Sequence, residues 1–277
     1  MPAAASLEIY PARDGCYKAA LAAADSLPRE DTAFVSVTCT GGNFDVTVQL
    51  CRQVRQLGLE PAAHMLCGGK NESSLTKMIE QCEDAGIEKI VALRGDLGNR
   101  ADADPNPVAG THQFVEMLAR RGTFSQIMVS GYPDVHPDAA NAHDDLLYLR
   151  RKVDAGAGRI ITQFSYGPDS LPRFCDRLAA AGVAVPVSAG LLPIRNFAGM
   201  LKFAKRCRAA VPDSLHSRFA GTDADAAAAR KIGREVLIEQ TIEALQAGCA
   251  IHYYTLNAAG IVSQAWQKGQ ESVQNQP

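Results

Sequence analysis

A chain of 277 residues that is 47% hydrophobic and 21% charged, with a formal net charge of −2, can build a full core. Its charge gives no electrostatic case for binding nucleic acid or an anionic membrane surface. No stretch approaches the ~20 apolar residues that span a bilayer, and Met1 to Ser6 lack the features of a secretion signal, so the cytoplasm is the expected location.

In chain order, a short apolar run at Leu7–Tyr10 reads as a strand and is followed by a helix-period segment at Tyr17–Leu27. Strand Phe34–Thr38 leads to a helix at Thr47–Leu57, and strand Ala62–Leu66 to one at Glu72–Ala85. Strand Lys89–Leu93 precedes a helix at Gly110–Arg120, and strand Ile127–Gly131 one at His143–Ala155. Strand Arg159–Phe164 is followed by a helix at Leu171–Ala181, and strand Val185–Ala189 by one at Asn196–Ala209. A short helix near Ser214–Phe219 and a long one at Asp223–Gln246 precede the last strand, Ile251–Leu256. Gly58, Gly86, Gly156, Gly182 and Gly248 each follow a helical run, where a left-handed cap is expected. Ser73, Asn141 and Asp169 stand near helix starts.

Eight β-then-α repeats predict a single (β/α)8 TIM barrel over residues 1–267, with an extended connection between strands seven and eight. A doubly wound open sheet is the alternative. Residues 268–277 are polar and are expected to form a flexible tail. The eight cysteines, at 16, 39, 51, 67, 82, 175, 207 and 249, form no Cys-x-x-Cys pair. They read as reduced thiols within apolar patterns, and no metal site is expected.

A barrel of this kind carries its active site at the C-terminal strand ends. Those positions hold Glu8, Thr38, His64, Arg94 with Asp96, Tyr132 with His136, Gln163, and Tyr254 with Asn257. Strand seven ends in Gly190-Leu191-Leu192-Pro193, with Phe197 following. Gly95 lets backbone approach a flat ligand, and Arg94 and Asp96 supply a donor and an acceptor, although the tripeptide alone also suits a solvated turn. After the rigid Tyr132–Pro137 loop, Asp145, Tyr148 and Lys152 recur at three- and four-residue steps, with Arg151 alongside. Singly these read as exposed helix pairs; as a set they suit an aromatic cofactor with a diphosphate. No Gly-x-Gly-x-x-Gly run or P-loop is present, so a dinucleotide is not held in the Rossmann manner. Gln163 ends a strongly apolar strand, where a buried amide needs a partner.

Taken together, Leu7-Glu8-Ile9-Tyr10-Pro11, His64-Met65-Leu66-Cys67, Ala92-Leu93-Arg94-Gly95-Asp96, Arg151-Lys152-Val153-Asp154-Ala155-Gly156, Ile161-Thr162-Gln163-Phe164 and His252-Tyr253-Tyr254-Thr255-Leu256-Asn257 resemble methylenetetrahydrofolate reductases, in order and over nearly the whole chain. The resemblance implies a flavoprotein of one-carbon metabolism and methionine biosynthesis. Such an enzyme interconverts 5,10-methylenetetrahydrofolate and 5-methyltetrahydrofolate, with electrons passing between NAD(P)H, FAD and the folate. By that resemblance Thr38, His64, Arg94, Gly95, Asp96, Tyr132, His136, Asp145, Tyr148, Arg151 and Lys152 would surround FAD. Glu8, Asp96 and Gln163 would be catalytic, with Glu8 carrying a proton and Asp96 stabilising a cation. Glu8, Gln163, Phe197 and Tyr254 would contact the folate.

Two departures from the family pattern stand out. The loop after Thr38 reads Cys39-Thr40-Gly41-Gly42-Asn43-Phe44-Asp45, without the family's usual arginine, and Ala258 replaces the arginine that usually follows Leu256-Asn257. These bear on the folate tail and on the electron partner, which would be NAD(P)H or another donor; a homo-oligomer is also compatible with the pattern. Two other readings account for part of this. One is a pterin-binding methyltransferase barrel without flavin, and the other a non-catalytic relative that binds folate or FAD.

Overall fold

The computed structural model describes residues 4–12, 14–39, 43–95, 103–222, 225–258 and 260–274. Eight parallel strands close into a barrel in sequence order: β1 (Ala5–Ile9), β2 (Thr32–Val37), β3 (Pro61–Leu66), β4 (Lys89–Leu93), β5 (Gln126–Gly131), β6 (Arg159–Thr162), β7 (Val187–Leu191) and β8 (Ala250–Tyr254). Helices α1 (Lys18–Ala24), α2 (Phe44–Gln56), α3 (Glu72–Asp84), α4 (Thr111–Arg121), α5 (Ala142–Asp154) and α6 (Ser170–Ala180) follow the first six strands in turn. The connection from β7 to β8 holds α7 (Phe197–Cys207), α8 (Asp213–Phe219) and α9 (Ala226–Gln246), and α10 (Ile261–Gln274) follows β8. Among the described residues no helix is long and apolar enough to cross a membrane.

Alternation along each strand explains where the core sits. Leu7 and Ile9 of β1, Val35 and Val37 of β2, and Ile251 and Tyr253 of β8 face the helices and join the main apolar cluster. The intervening positions face the barrel axis, where Phe34, Ala62, Val91, Met128 and Ile161 form a separate small cluster that plugs the lumen. Polar inward residues nearer the C-terminal ends of the strands therefore stand on an apolar floor.

The element limits differ from the sequence pattern at informative places. β7 begins at Val187 rather than Val185, because Pro186 has no N–H to give the ladder; its carbonyl accepts from Ile160. β8 ends at Tyr254, because Leu256 and Asn257 turn to φ values of 47° and 55°. β6 ends at Thr162, and Phe164 leaves the strand direction to join the aromatic cluster under α7 and α8. The cap of α3 is Asn71 rather than Ser73, its side chain accepting from the Ser74 N–H at 3.0 Å. Asn141 caps α5 in the same way, whereas Asp169 precedes α6 without a side-chain cap bond. The expected start of α9 at Asp223 lies outside the described residues, and Asp225 caps the helix at Ala226.

The largest correction concerns the C-terminal tail. Residues expected to be loose from Lys268 are helical to Gln274. Val262, Ala265, Trp266 and Gly269 of α10 are buried at helical spacing, in the helix that packs on α9. At Gly269 a Cβ would come within 2.6 Å of Thr241 Cγ2, so the absence of a side chain permits that approach.

Candidate active site

Just above the apolar floor, β1, β3 and β8 bring three titratable side chains together. Glu8 Oε2 lies 3.6 Å from His64 Nε2 and 3.8 Å from His252 Nε2. Both Nε2 atoms are buried and have no hydrogen-bond partner among the described residues. Buried polar atoms are normally satisfied, so two orphans facing one carboxyl mark a position built for something other than stability. Desolvation lowers the His64 pKa to about 4, more than the Glu8 charge raises it, so this ring is neutral near pH 7.

Ser6, two residues before Glu8 on the same face, organises the second ring. Its hydroxyl donates to the Ile251 carbonyl at 3.1 Å and lies 2.7 Å from His252 Nδ1. A hydroxyl has one hydrogen, so with that hydrogen on the carbonyl, Nδ1–H must donate to Ser6 Oγ. In the neutral ring this leaves the Nε2 lone pair directed toward Glu8.

Across the mouth, the Tyr254 hydroxyl donates to the Thr162 carbonyl at 2.7 Å, tying β8 to β6 over β7. Gly190 of β7 makes the crossing possible. A Cβ there would stand 2.0 Å from Thr162 O and 2.7 Å from Tyr254 Cε2. Burial pushes the Tyr254 hydroxyl well above the ordinary phenol range. Gln163 Oε1 accepts from the Phe164 N–H at 3.1 Å, and the residue borders a small cleft shared with Gly190 and Gln240. Phe197 opens α7 and stacks flat on Phe219 at 4.3 Å between ring centroids, which covers one of its faces.

The β4–β5 side carries the charged groups. Asp138 receives Arg94 Nη2 at 2.7 Å and also bonds to Arg208, and these bonds hold its pKa at about 2. Tyr132 and His136 meet edge to face at 4.4 Å between centroids, and the His136 N–H donates to Asp145 at 2.9 Å. Burial raises the Tyr132 pKa and lowers that of His136. Lys152 is buried, and its Nζ donates to the Ser130 carbonyl at 2.6 Å, its one hydrogen-bond acceptor among the described residues. That ammonium lies 5.5 Å from the centre of the Tyr148 ring, and desolvation lowers its pKa to about 8. The Tyr148 hydroxyl accepts from the Thr111 N–H at 3.0 Å.

The structure thus brings Glu8 and His64 into one cluster, and Arg94, Tyr132, His136, Asp145, Tyr148 and Lys152 into another. Thr38 follows β2, where its carbonyl accepts from Thr47 Oγ1. Gly95 takes φ +79°, with Leu66 atoms 3.2 Å from where a Cβ would lie. Arg151 is exposed, on another side of α5 from buried Lys152. Asp96 and the 40–42 stretch lie outside the described residues. Ser6, His252, Asp138 and Arg208 were not among the candidate site residues. His252 could have been found, because it alternates with Tyr254 on β8 and so shares its inward face. Asp138 and Arg208 are 70 residues apart, and no local pattern joins them.

The donor set fits a flat anionic group. Arg94 and Lys152 supply positive charge, Lys152 has N–H capacity beyond its one carbonyl, and the Tyr132–His136 pair offers an aromatic surface.

Comparison with known proteins bears on the same reading. A family model described as methylenetetrahydrofolate reductase matches residues 2–268. The 5,10-methylenetetrahydrofolate reductases of Pectobacterium carotovorum subsp. carotovorum and Escherichia coli (strain K12) are each 35% identical over 259 residues. Each alignment covers 92% of this chain and 86% of the relative. Among solved structures, a Clostridium thermocellum protein described as binding two copies of 5-methyl-5,6,7,8-tetrahydrofolic acid aligns with a TM-score of 0.60. That alignment has 12% identity and covers 97% of this chain and 94% of the other, so it speaks to the fold alone.

Proposed function

This chain belongs to the methylenetetrahydrofolate reductase family, and we propose that its barrel mouth holds FAD between the Lys152 cluster and the folate, with NAD(P)H as the electron source. The protein is an oxidoreductase that interconverts 5,10-methylenetetrahydrofolate and 5-methyltetrahydrofolate. The observation that carries the cofactor assignment is Lys152: a buried ammonium with one backbone acceptor among the described residues, offset only in part by the Asp145 charge, is costly unless a further anion joins it. When bound, FAD supplies a two-electron carrier that can exchange hydride with the bridging carbon of the folate. A flavin-free methyltransferase barrel would leave the Lys152 cluster without a task.

The chain's own residues then divide the work. Arg94 and Lys152 hold negative charge, and Tyr132 and His136 flank the flat ring system. Thr38, His64, Gly95, Asp145 and Tyr148 complete that surround, and Arg151 would have to turn inward from its exposed position to join it. Glu8 delivers a proton to the amine nitrogen that leaves the bridging carbon when the five-membered ring opens. Ser6 fixes the His252 ring so that its Nε2 faces Glu8 Oε2, and neutral His64 adds no charge that would pull the proton away. Asp96 is assigned to the iminium cation formed on the folate by that ring opening. Gln163 contacts the pterin with its amide, Tyr254 walls the site, and Phe197 packs on the aromatic part of the folate. All eight cysteines are free thiols, which suits a cytoplasmic enzyme.

FAD titration of the purified protein tests the cofactor assignment. The expected result is quenched flavin fluorescence and a yellow colour that stays with the protein on gel filtration. A protein that remains colourless and leaves FAD fluorescence unchanged would overturn it.

A further inference from the structure

Cys175 lies midway along α6, and Cys249 sits at the foot of β8, one residue before the strand. They are 74 residues apart in the chain, yet their Sγ atoms are 3.6 Å apart. Cys249 is buried, while Cys175 is partly open to solvent. The pair stands at the end of the barrel opposite the active site, because Cys249 enters β8 whereas Tyr254 leaves it.

We propose that Cys175 and Cys249 form an oxidation site, in which Cys175 reduces a hydroperoxide and Cys249 closes a reversible disulfide that pins α6 to the foot of β8. The Cys175 thiolate attacks one peroxide oxygen, the O–O bond breaks, and an alcohol or water leaves, with a sulfenic acid remaining on Cys175. Cys249 Sγ then attacks the Cys175 sulfur. The S–S bond forms, and the sulfenic oxygen departs as water with the Cys249 proton. Two thiols lose two hydrogens, and one hydroperoxide becomes one alcohol and one water (two waters for hydrogen peroxide). Bond formation closes the sulfurs from 3.6 Å to the ~2.05 Å of a disulfide.

The local chemistry assigns the order of events. The two thiols share a hydrogen bond in which either sulfur can donate, and Cys249 is the more deeply buried of the two. Cys175 is therefore the more accessible sulfur and the one a peroxide reaches first. Cys51 and Cys82 provide an internal contrast, since both are fully buried and desolvation raises both thiol pKa values.

The test is a non-reducing peptide map of the full-length protein after graded hydrogen peroxide, with remaining thiols blocked by N-ethylmaleimide. The expected result is a Cys175–Cys249 crosslink that appears before oxidation at any other cysteine and is reversed by dithiothreitol. In Cys249→Ser, dimedone is expected to label Cys175 on peroxide treatment, because the resolving thiol is gone. Catalytic turnover by Cys175→Ser is expected to match the parent, since neither sulfur touches the site. The proposal is overturned if the parent keeps Cys175 fully alkylatable after peroxide. It is equally overturned if Cys175 collects dimedone in the parent without crosslinking.

Discussion

Burying the Lys152 ammonium destabilises the protein, and the pKa shift gives the sign. Its folded pKa of about 8 lies below the ordinary 10.5, so the cost is fully present below pH ~8 and relieved as pH rises toward ~10.5. Lys152→Met keeps the length and removes the charge. It is expected to raise stability by about 1–3 kcal/mol near neutral pH while weakening FAD binding at least about tenfold. Urea unfolding together with FAD titration checks both; loss of stability with unchanged FAD affinity would make Lys152 a structural residue. His64 behaves analogously at acid pH. With a folded pKa of about 4 against 6.5, its contribution is full above pH ~6.5 and is lost as pH falls through ~4. Between about pH 7 and about pH 4.5 it accounts for about 2–3 kcal/mol of lost stability. His64→Asn should lose correspondingly less over that interval, and parallel losses in the two proteins would contradict a buried neutral ring. Glu8→Gln is expected to slow folate turnover by about 10²–10⁴ while flavin reduction by NAD(P)H stays near the parent rate. Equal loss in both half-reactions would remove Glu8 from proton transfer. Glu8, Gln163 and Tyr254 were legible in the sequence because two-residue alternation places them at strand ends facing the axis. The Ser6–His252–Glu8 arrangement needed the β1–β8 closure, which pairs residues nearly the whole chain apart.

At the scale of elements, helix α10 is the part whose role the sequence pattern hid most. Its buried face is Val262, Ala265, Trp266 and Gly269, a three- and four-residue spacing interleaved with polar residues. The polar last ten residues hide that spacing, because Gly269 is the one buried position of the set that lies among them. Trp266 is 2% exposed, so Trp266→Ala should cost about 3–5 kcal/mol, measured by urea unfolding. A cost below about 1 kcal/mol would mean that the helix adds little to the barrel. Strand limits failed for more local reasons. Pro186 delays β7, and the left-handed Leu256-Asn257 pair ends β8 two residues early. Both are backbone effects that hydropathy does not register.

At the scale of the whole molecule, the closed parallel barrel was legible because eight apolar runs alternate with amphipathic helices, and short connections force neighbouring strands to pair in order. The same closure places the candidate site. It gathers residues from β1, β3, β4, β5, β6 and β8 onto one rim above an apolar floor, so the Lys152 cluster and the Glu8 carboxyl open on one mouth. In this proposal a flavin held at this mouth exchanges electrons with a folate there. The most direct measurement is the anaerobic absorbance of the FAD-loaded protein on addition of 5-methyltetrahydrofolate. The expected result is bleaching of the flavin band with formation of methylenetetrahydrofolate, slowed by Glu8→Gln. A flavin that stays oxidised in the presence of bound 5-methyltetrahydrofolate would rule out this electron exchange.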